Sequence, residues 1–226
     1  MKPRIQTDTT LLYVVIILTG VMLIVYPKFY PQDQLFDNLI DCLGIIAILK
    51  GTLLRMCARG HKKSFSQNSS SLVTTGPYQF SRNPMYLGSF LIGIGFVLLL
   101  WPWWLTPVFA IVFYVRFNKQ MVAEEKLLTE HFGEQYTKYC QNVSRIFPSI
   151  KCWGRVKLRD AVNPKELFST KETRGLWTWP LVGFVLELVQ EWLVFGSIHM
   201  ISTAVIFIAT IIVFFTIGFL EYKLIK

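Results

Sequence analysis

Charged side chains are scarce in this chain: they make up 16% of its 226 residues, against about 25% in an average soluble domain. Hydrophobic residues make up 53% and aromatic residues 15%. The apolar residues fall in several long blocks, which excludes an intrinsically disordered chain and a small disulfide-rich scaffold. The composition is typical of a protein that is built into a membrane.

Cysteine and histidine are also rare. The four cysteines include no CxxC pair, so the sequence indicates neither a structural zinc site nor a disulfide framework. The three histidines are scattered without metal-ligand spacing, and no metal site is predicted. The first apolar block lacks a small-residue cleavage site after it, so it is interpreted as a retained helix and not as a signal peptide.

Six apolar blocks predict an all-α fold, a polytopic transmembrane bundle of about six helices. A helix needs about 20 residues to span the hydrocarbon core of a bilayer. The blocks are Leu11–Tyr26, Leu35–Leu54, Tyr86–Trp101, Trp103–Phe117, Leu176–Ser197 and Ile201–Leu220. Prolines and tryptophans between the third and fourth blocks predict a helical hairpin tip.

These blocks divide the chain into four predicted parts. Residues 1–34 form a first transmembrane helix with its connecting turn, and residues 35–150 form the core. Residues 151–175 form a basic cytoplasmic linker, and residues 176–226 form a C-terminal pair of transmembrane helices. The net charge of +9 lies mainly between the blocks, which predicts that both long polar segments and both termini are cytoplasmic. Contact with lipid headgroups is expected, and nucleic-acid binding is not.

The fifth block carries two like charges on one helical face, Glu187 and Glu191. One interpretation packs this face against lysine or arginine of the cytoplasmic segment, or places it at the membrane interface. The other gives the two carboxylates a role with a substrate or an ion.

Turn residues surround the third and fourth blocks. Asn83 before Pro84 predicts a helix N-cap whose backbone amides can hold an anion. The fourth block is predicted to continue as one helix past Glu124 to a C-cap at Gly133. Gly93 and Gly95 are interpreted as helix-packing positions. Tyr136 and Tyr139 either line a cofactor or anchor the cytoplasmic region.

Three ordered motifs carry a resemblance. Leu-Val-x-x-Gly-Pro-Tyr-x-x-x-Arg-Asn-Pro-Met-Tyr-Leu-Gly stands at 72–88, Glu-Glu-x-x-Leu-x-x-x-Phe-Gly-x-x-Tyr-x-x-Tyr at 124–139, and Val-x-Arg-x-x-Pro at 143–148. Together they resemble the isoprenylcysteine carboxyl methyltransferase family and its bacterial relatives, and more distantly the phospholipid N-methyltransferases. The resemblance covers about residues 40–148. It implies a methyltransferase that uses S-adenosylmethionine and lies in a membrane, with a small cytoplasmic cofactor-binding region. A bacterial inner membrane is the expected location.

The resemblance also implies which residues contact S-adenosylmethionine: Ser70, Ser71, Leu72, Val73, Tyr78, Asn83, Pro84, Met85, Tyr86 and Glu124. Family members hold the substrate carboxylate with an arginine at the position of Gln120 here. Lys119, Arg116 or Arg145 are the candidate replacements, and these four residues form the predicted acceptor site. The acceptor is expected to be a membrane lipid or a lipid-like small molecule, and the sequence predicts no oligomeric state.

Two other functions stay open. An NADPH-dependent membrane reductase of the sterol reductase type has a similar Arg-x-Pro-x-Tyr-x-Gly turn, although the glutamate pair argues against it. The second alternative function is that of a membrane scaffold that keeps the fold but has no catalytic activity.

Overall fold

The computed structural model describes residues 33–68, 71–148, 168, 170–196 and 200–224, together with 17, 19–22 and 25. Within these ranges every regular element is helical, and the predicted all-α class is confirmed. The main helices are α1 (Gln34–Asn68), α2 (Pro84–Leu100), α3 (Thr106–Phe132), α4 (Glu134–Asn142), α5 (Gly175–Phe195) and α6 (Met200–Leu224). Short 3₁₀ helices at Gly76–Gln79, Trp103–Leu105 and Lys171–Arg174 precede α2, α3 and α5.

Helix α1 is longer than the apolar block that predicts it. The apolar block ends at Leu54, whereas the helix continues to Asn68. No proline interrupts residues 55–68, and Met56 and Ala58 are completely buried. One face of the helix therefore keeps packing after charged residues begin on the other, which is the normal pattern of an amphipathic helix.

Helices α1 and α2 run antiparallel in close backbone contact. A Cβ atom on Gly51 would lie 2.5 Å from the carbonyl oxygen of Gly88, and one on Gly95 would lie 2.5 Å from that of Gly44. Only glycine allows this approach, because any larger side chain would push the helices apart. The interpretation of Gly95 as a helix-packing position is confirmed. Gly93 also packs closely, against the ring of Phe109 on α3.

Gly51→Ala is expected to lower the free energy of unfolding by about 1–2 kcal/mol, because the added methyl group meets backbone atoms that cannot rotate away. Denaturation of the purified protein followed by circular dichroism measures this change. Gly20→Ala is the matched control, since a Cβ atom there has no neighbour within 4 Å. The control variant should be unchanged or slightly more stable. Equal stability of both variants would contradict the close crossing of α1 and α2.

The connection between α2 and α3 forms the predicted hairpin tip. Helix α2 ends at Leu100, and α3 begins at Thr106 after the short 3₁₀ helix. Helix α3 then continues without a break to Phe132, as predicted. Gly133 follows with a φ of 53°, which confirms its position at the C-terminal end of α3. Helix α4 starts directly after this glycine.

The C-terminal helices α5 and α6 pack against α1 and α2. Their shared core is a buried apolar cluster of Ile45, Ile48, Leu49, Leu99 and Phe207. On α5, Glu187 and Glu191 face Asp37 and Asp41 of α1. Within the described residues neither glutamate forms an ion pair with lysine or arginine. Most of the basic cytoplasmic segment lies outside the described residues, so the interpretation that this acidic face packs against its lysines or arginines stays a prediction.

The sequence predicts about six membrane-spanning helices. Among the described residues, no helix is both long and apolar enough to cross a membrane. The first predicted block lies largely outside the described residues, although those described between 17 and 25 are helical. The predicted boundaries after residues 34, 150 and 175 stay predictions.

Several helices nevertheless expose large apolar side chains on one side. On α3 and α5 these include Ile111 at 66%, Val115 at 64% and Leu181 at 63% exposure, and on α6 Ile201 reaches 82%. Exposed apolar side chains in such numbers are typical of faces that contact lipid or another protein.

Candidate functional site

The Gly-Pro turn before α2, at Gly76 and Pro77, packs against the side chain of His61 near the end of α1. Gly76 has a φ of 61°, and a Cβ atom on it would lie 2.8 Å from His61 Nε2. The same ring nitrogen lies 2.9 Å from the Thr75 hydroxyl. Glycine is therefore required here both by the backbone conformation and by the close imidazole. This contact fixes the start of the 3₁₀ helix Gly76–Gln79 relative to α1.

The next residues join the first motif to the third. The backbone amide of Arg82 donates to the carbonyl oxygen of Ser144 at 2.9 Å. The hydroxyl of Ser81 and the Nδ2 atom of Asn83 donate to the carbonyl oxygen of Arg145 at 3.3 and 3.1 Å. These three hydrogen bonds hold the 81–83 turn against the segment that follows α4.

Glu125 of α3 is the charged centre of this contact. Its carboxylate accepts from Arg145 Nε at 3.0 and 3.1 Å and from Nη2 at 2.6 Å, a bidentate arrangement. Arg82 lies 3.4 Å from the same carboxylate, and Asn83 Nδ2 also donates to it at 3.4 Å. Arg145 Nη1 donates to Asn118 Oδ1 at 3.0 Å. Glu125 is thus neutralised by two arginines and joins all three sequence motifs.

The neighbouring Glu124 has a different environment. It is exposed, accepts a hydrogen bond from the Tyr86 hydroxyl at 2.9 Å, and lies near Tyr78. Burial raises the pKa of Tyr78 to about 12, and the charge of Glu124 adds to this increase. Within the described residues Glu124 forms no ion pair. Its carboxylate therefore keeps hydrogen-bonding capacity for a charged or polar ligand.

Tyr139 of α4 ties the second motif to the first. Its hydroxyl donates to the carbonyl oxygen of Tyr78 at 2.6 Å, and the side chains of Tyr139 and Tyr136 are both buried. Burial raises the pKa of Tyr139, so the hydroxyl stays a donor at neutral pH. Of the two interpretations of this tyrosine pair, the contact of Tyr139 favours anchoring.

Asn83 occupies the N-cap position of α2, as predicted, but its side chain makes no capping hydrogen bond. The prediction that it caps the helix was therefore wrong. The Nδ2 atom of Asn83 donates instead to Glu125 and to the Arg145 carbonyl oxygen, and these two hydrogen bonds turn the side chain away from the first-turn N–H groups. Pro84 has no N–H, and the first-turn amides of Met85 and Tyr86 are not capped by Asn83. The amino terminus of α2 can accept an anionic group.

The four predicted acceptor residues lie in different surroundings. Gln120 is within hydrogen-bonding reach of the Tyr86 hydroxyl, and so belongs to the same surface as Glu124. Lys119 and Arg116 are exposed on α3, and the Arg116 guanidinium lies 6.0 Å from the Phe117 ring centroid. The Arg145 guanidinium is bound to Glu125 and Asn118. The role of each in acceptor binding stays a prediction.

The predicted cofactor residues before the Gly-Pro turn are only partly described. Ser70 lies outside the described residues. Ser71 is exposed, and Leu72 and Val73 are half-buried in the irregular segment that leads into the 3₁₀ helix. Pro84 is buried at the start of α2. Their predicted contacts with the cofactor stay predictions.

The third motif contributes to the wall of an apolar cavity. It has a volume of about 270 Å³ and lies between α2, α3 and the 143–148 segment. Its lining residues are Phe90, Ala110, Ile111, Phe113, Tyr114, Ile146 and Phe147. The cavity fits an apolar group, because its lining is almost entirely carbon.

An ion-pair cluster that the sequence analysis did not predict joins α1 to the short 3₁₀ helix before α5. Arg55 donates to both carboxylate oxygens of Glu172 at 3.1 Å, and Arg59 and Ser89 complete the cluster. Burial alone would raise the pKa of Glu172, but the hydrogen bonds and charges of the two arginines outweigh it and lower the pKa. The feature of the sequence that could have predicted this cluster is Glu172 itself, an acidic residue in a segment rich in lysine and arginine.

Glu172→Gln is expected to lower the free energy of unfolding by about 1 kcal/mol at pH 7, since the charged pair is partly exposed. A lowered carboxyl pKa stabilises the fold above the unfolded-state value near 4.5. That stability is lost as the pH falls through the folded-state pKa. Denaturation at pH 7 and below pH 4 should thus show the difference between variant and wild type disappear in acid. A difference that is the same at both pH values would contradict this assignment.

Comparison with known proteins confirms the resemblance. Residues 43–135 match the family model described as phospholipid methyltransferase. The chain is 33% identical over 134 residues to a protein-S-isoprenylcysteine O-methyltransferase of Saccharomyces cerevisiae, covering 54% of this chain and 56% of the yeast protein. It is 34% identical over 137 residues to the Tribolium castaneum protein of that name, covering 55% of this chain and 49% of the Tribolium protein. The chain thus spans about half the length of these relatives. No solved structure matches it.

Proposed function

Starting from this similarity, we propose that the chain is a membrane methyltransferase that transfers a methyl group from S-adenosylmethionine to a lipid or lipid-like acceptor. One observation carries the proposal. Of two adjacent glutamates on α3, Glu125 is neutralised by arginines, whereas Glu124 faces Tyr78 and Tyr86 beside the uncapped start of α2.

The residues around Glu124 fit this cofactor. S-Adenosylmethionine carries an ammonium, a sulfonium, a carboxylate and an adenine, so it requires a carboxylate acceptor, aromatic rings and oriented amides. Glu124 offers the acceptor, Tyr78 and Tyr86 the rings, and the start of α2 the amides. We assign cofactor contacts to Ser70, Ser71, Leu72, Val73, Tyr78, Asn83, Pro84, Met85, Tyr86 and Glu124.

The cofactor supplies an electrophilic methyl group, and the protein supplies position and exclusion of water. The apolar cavity of about 270 Å³ is the proposed seat of the acceptor's hydrocarbon part. Gln120, which reaches the Tyr86 hydroxyl, is proposed to lie next to the reacting group. Because Gln120 is neutral, we propose an acceptor whose reacting group is neutral or basic, such as an amine, in preference to a carboxylate.

Calorimetric titration of the purified protein with S-adenosylmethionine and with its demethylated product tests this function. Saturable binding of both is expected. Binding of NADPH without binding of S-adenosylmethionine would favour the reductase. Absence of binding by either cofactor would favour the scaffold.

Gln120→Arg is expected to raise methylation of a farnesylcysteine analogue at least tenfold, because arginine restores a bidentate contact to the carboxylate. Cofactor affinity should change little, and transfer of labelled methyl groups measures the rate. Lys119→Ala and Arg116→Ala serve as comparison variants. Efficient methylation of the analogue by the wild-type protein, unaffected by either alanine substitution, would contradict the proposed acceptor site.

We also propose that the chain lies in a bacterial inner membrane with both termini and the cofactor site cytoplasmic. The exposed apolar side chains of α3, α5 and α6 and the basic segments support this arrangement. Reporter fusions at residue 104 and at the C-terminus test it. We expect residue 104 outside the cytoplasm and the C-terminus inside, and an external C-terminus would overturn the six-helix arrangement.

A further inference from the structure

Four carboxylates from two helices meet at the end of the bundle where α1 begins. Asp37 and Asp41 lie one turn apart on α1, and Glu187 and Glu191 lie one turn apart on α5. Carboxylate oxygens of Asp37, Asp41 and Glu187 all lie within 4.8 Å of one another. This carboxylate cluster combines residues from opposite ends of the chain, which explains why no sequence spacing indicated it.

The carboxylate cluster is buried. Asp37 is 9% exposed, Asp41 6%, Glu187 3% and Glu191 8%. In the part of the chain that the structure describes, none of the four forms an ion pair with lysine, arginine or histidine. Burying several like charges without a cation is strongly unfavourable. The cluster therefore requires either protons or a positively charged ligand.

A second observation points to a ligand. The Oε2 atom of Glu187 is buried and has no hydrogen-bond donor among the described residues. Asp41 lies within hydrogen-bonding reach of this carboxyl group, but two carboxylates can share a hydrogen bond only when one of them is protonated. The Oε1 atom of Gln190, one turn away on α5, is also buried and unpartnered. Glu191, by contrast, accepts from the Thr203 hydroxyl of α6 at 3.0 Å. Buried acceptors without donors are rare in native proteins, and a metal ion satisfies them.

We propose that Asp37, Asp41 and Glu187 bind one divalent cation, Ca²⁺. Mg²⁺ usually keeps several waters, whereas Ca²⁺ takes most of its ligands from the protein. A buried set of three protein carboxylates therefore fits Ca²⁺ better than Mg²⁺. The all-oxygen ligand set is also the one that Ca²⁺ prefers.

The proposed cation site is separate from the proposed cofactor site. Asp41 and His61, which supports the Gly-Pro turn, are 20 residues apart on one helix, or about 30 Å along its axis. Glu187 also lies outside the stretch that matches the methyltransferase family. The cation ties α5 to α1, and so attaches the C-terminal helix pair to the core. Failure of this site would leave the cofactor site intact.

Equilibrium dialysis with radioactive Ca²⁺ on the full-length protein, stripped with EDTA, tests the proposal. We expect one saturable ion per chain and at least tenfold weaker binding of Mg²⁺ in competition. Glu187→Gln and Asp41→Asn should each weaken Ca²⁺ binding at least tenfold, whereas Glu130→Gln, at an exposed carboxylate of α3, should bind as the wild type does. Ca²⁺ should raise the thermal midpoint of the wild-type protein but not that of Glu187→Gln.

Two results would overturn the proposal. Wild-type protein that binds no Ca²⁺ at millimolar concentration would show that the carboxyl groups hold protons. Unchanged Ca²⁺ binding by both Glu187→Gln and Asp41→Asn would place the ion elsewhere. Should Glu187→Gln fail to fold, Asp41→Asn and the competition between Ca²⁺ and Mg²⁺ in the wild-type protein still decide the question.

Discussion

Glu124→Gln is expected to weaken the binding of S-adenosylmethionine by about 10–100-fold. The substitution keeps the size of the side chain and the contact with Tyr86 but removes the negative charge. A hydrogen bond to a charged group contributes about 1.5–3 kcal/mol, and each 1.4 kcal/mol corresponds to about tenfold in affinity. Calorimetric titration of the purified variant and the wild-type protein measures the change. The expectation depends on Glu124 lacking an arginine or lysine partner in the described chain.

Stability measurements separate this effect from unfolding. Glu124→Gln should denature at the same temperature as the wild-type protein, because Glu124 is exposed and, among the described residues, hydrogen-bonds only the Tyr86 hydroxyl. Glu130→Gln on the same helix, where the glutamate side chain is 60% exposed, should leave cofactor affinity unchanged. Wild-type affinity in Glu124→Gln would remove Glu124 from the cofactor site.

Glu125→Gln is expected to lower the free energy of unfolding by about 2–3 kcal/mol. The carboxylate is 14% exposed and holds Arg145 by a bidentate contact, with Arg82 at 3.4 Å. Removing one partner of a fully buried pair costs about 3–5 kcal/mol, and the 30% exposure of Arg145 reduces this value through solvent screening. Chemical denaturation measures the change.

A double-mutant cycle tests whether the Glu125–Arg145 pair is the cause. Arg145→Met should destabilise by a similar amount, and the double variant Glu125→Gln with Arg145→Met by clearly less than the sum. Glu134→Gln is the matched control, because its ion pair with Lys138 on α4 is exposed and should contribute less than about 0.5 kcal/mol. Additive effects would show that the two residues act independently.

Glu124→Gln is expected to lose cofactor affinity and keep its stability, whereas Glu125→Gln is expected to lose stability. These two results would assign ligand binding to the first glutamate and structural support to the second. The two glutamates are adjacent in the second motif, and the resemblance assigned cofactor contact to Glu124. In the structure Glu124 contacts Tyr86 of α2, and Glu125 contacts Arg145 of the 143–148 segment. The distinction therefore depends on which face of α3 each carboxylate occupies.

The sequence by itself determined the all-α class, the α2–α3 hairpin, the continuation of α3 to Gly133, and the methyltransferase resemblance. These features depend on local composition, on proline and glycine positions and on motif spacing, all of which can be read along the chain. Only the tertiary structure decided the continuation of α1 to Asn68, the diversion of the Asn83 side chain, and the meeting of Glu187 with Asp41. Each of these follows from contacts between residues far apart in the chain, where burial and competing hydrogen-bond partners override local preference.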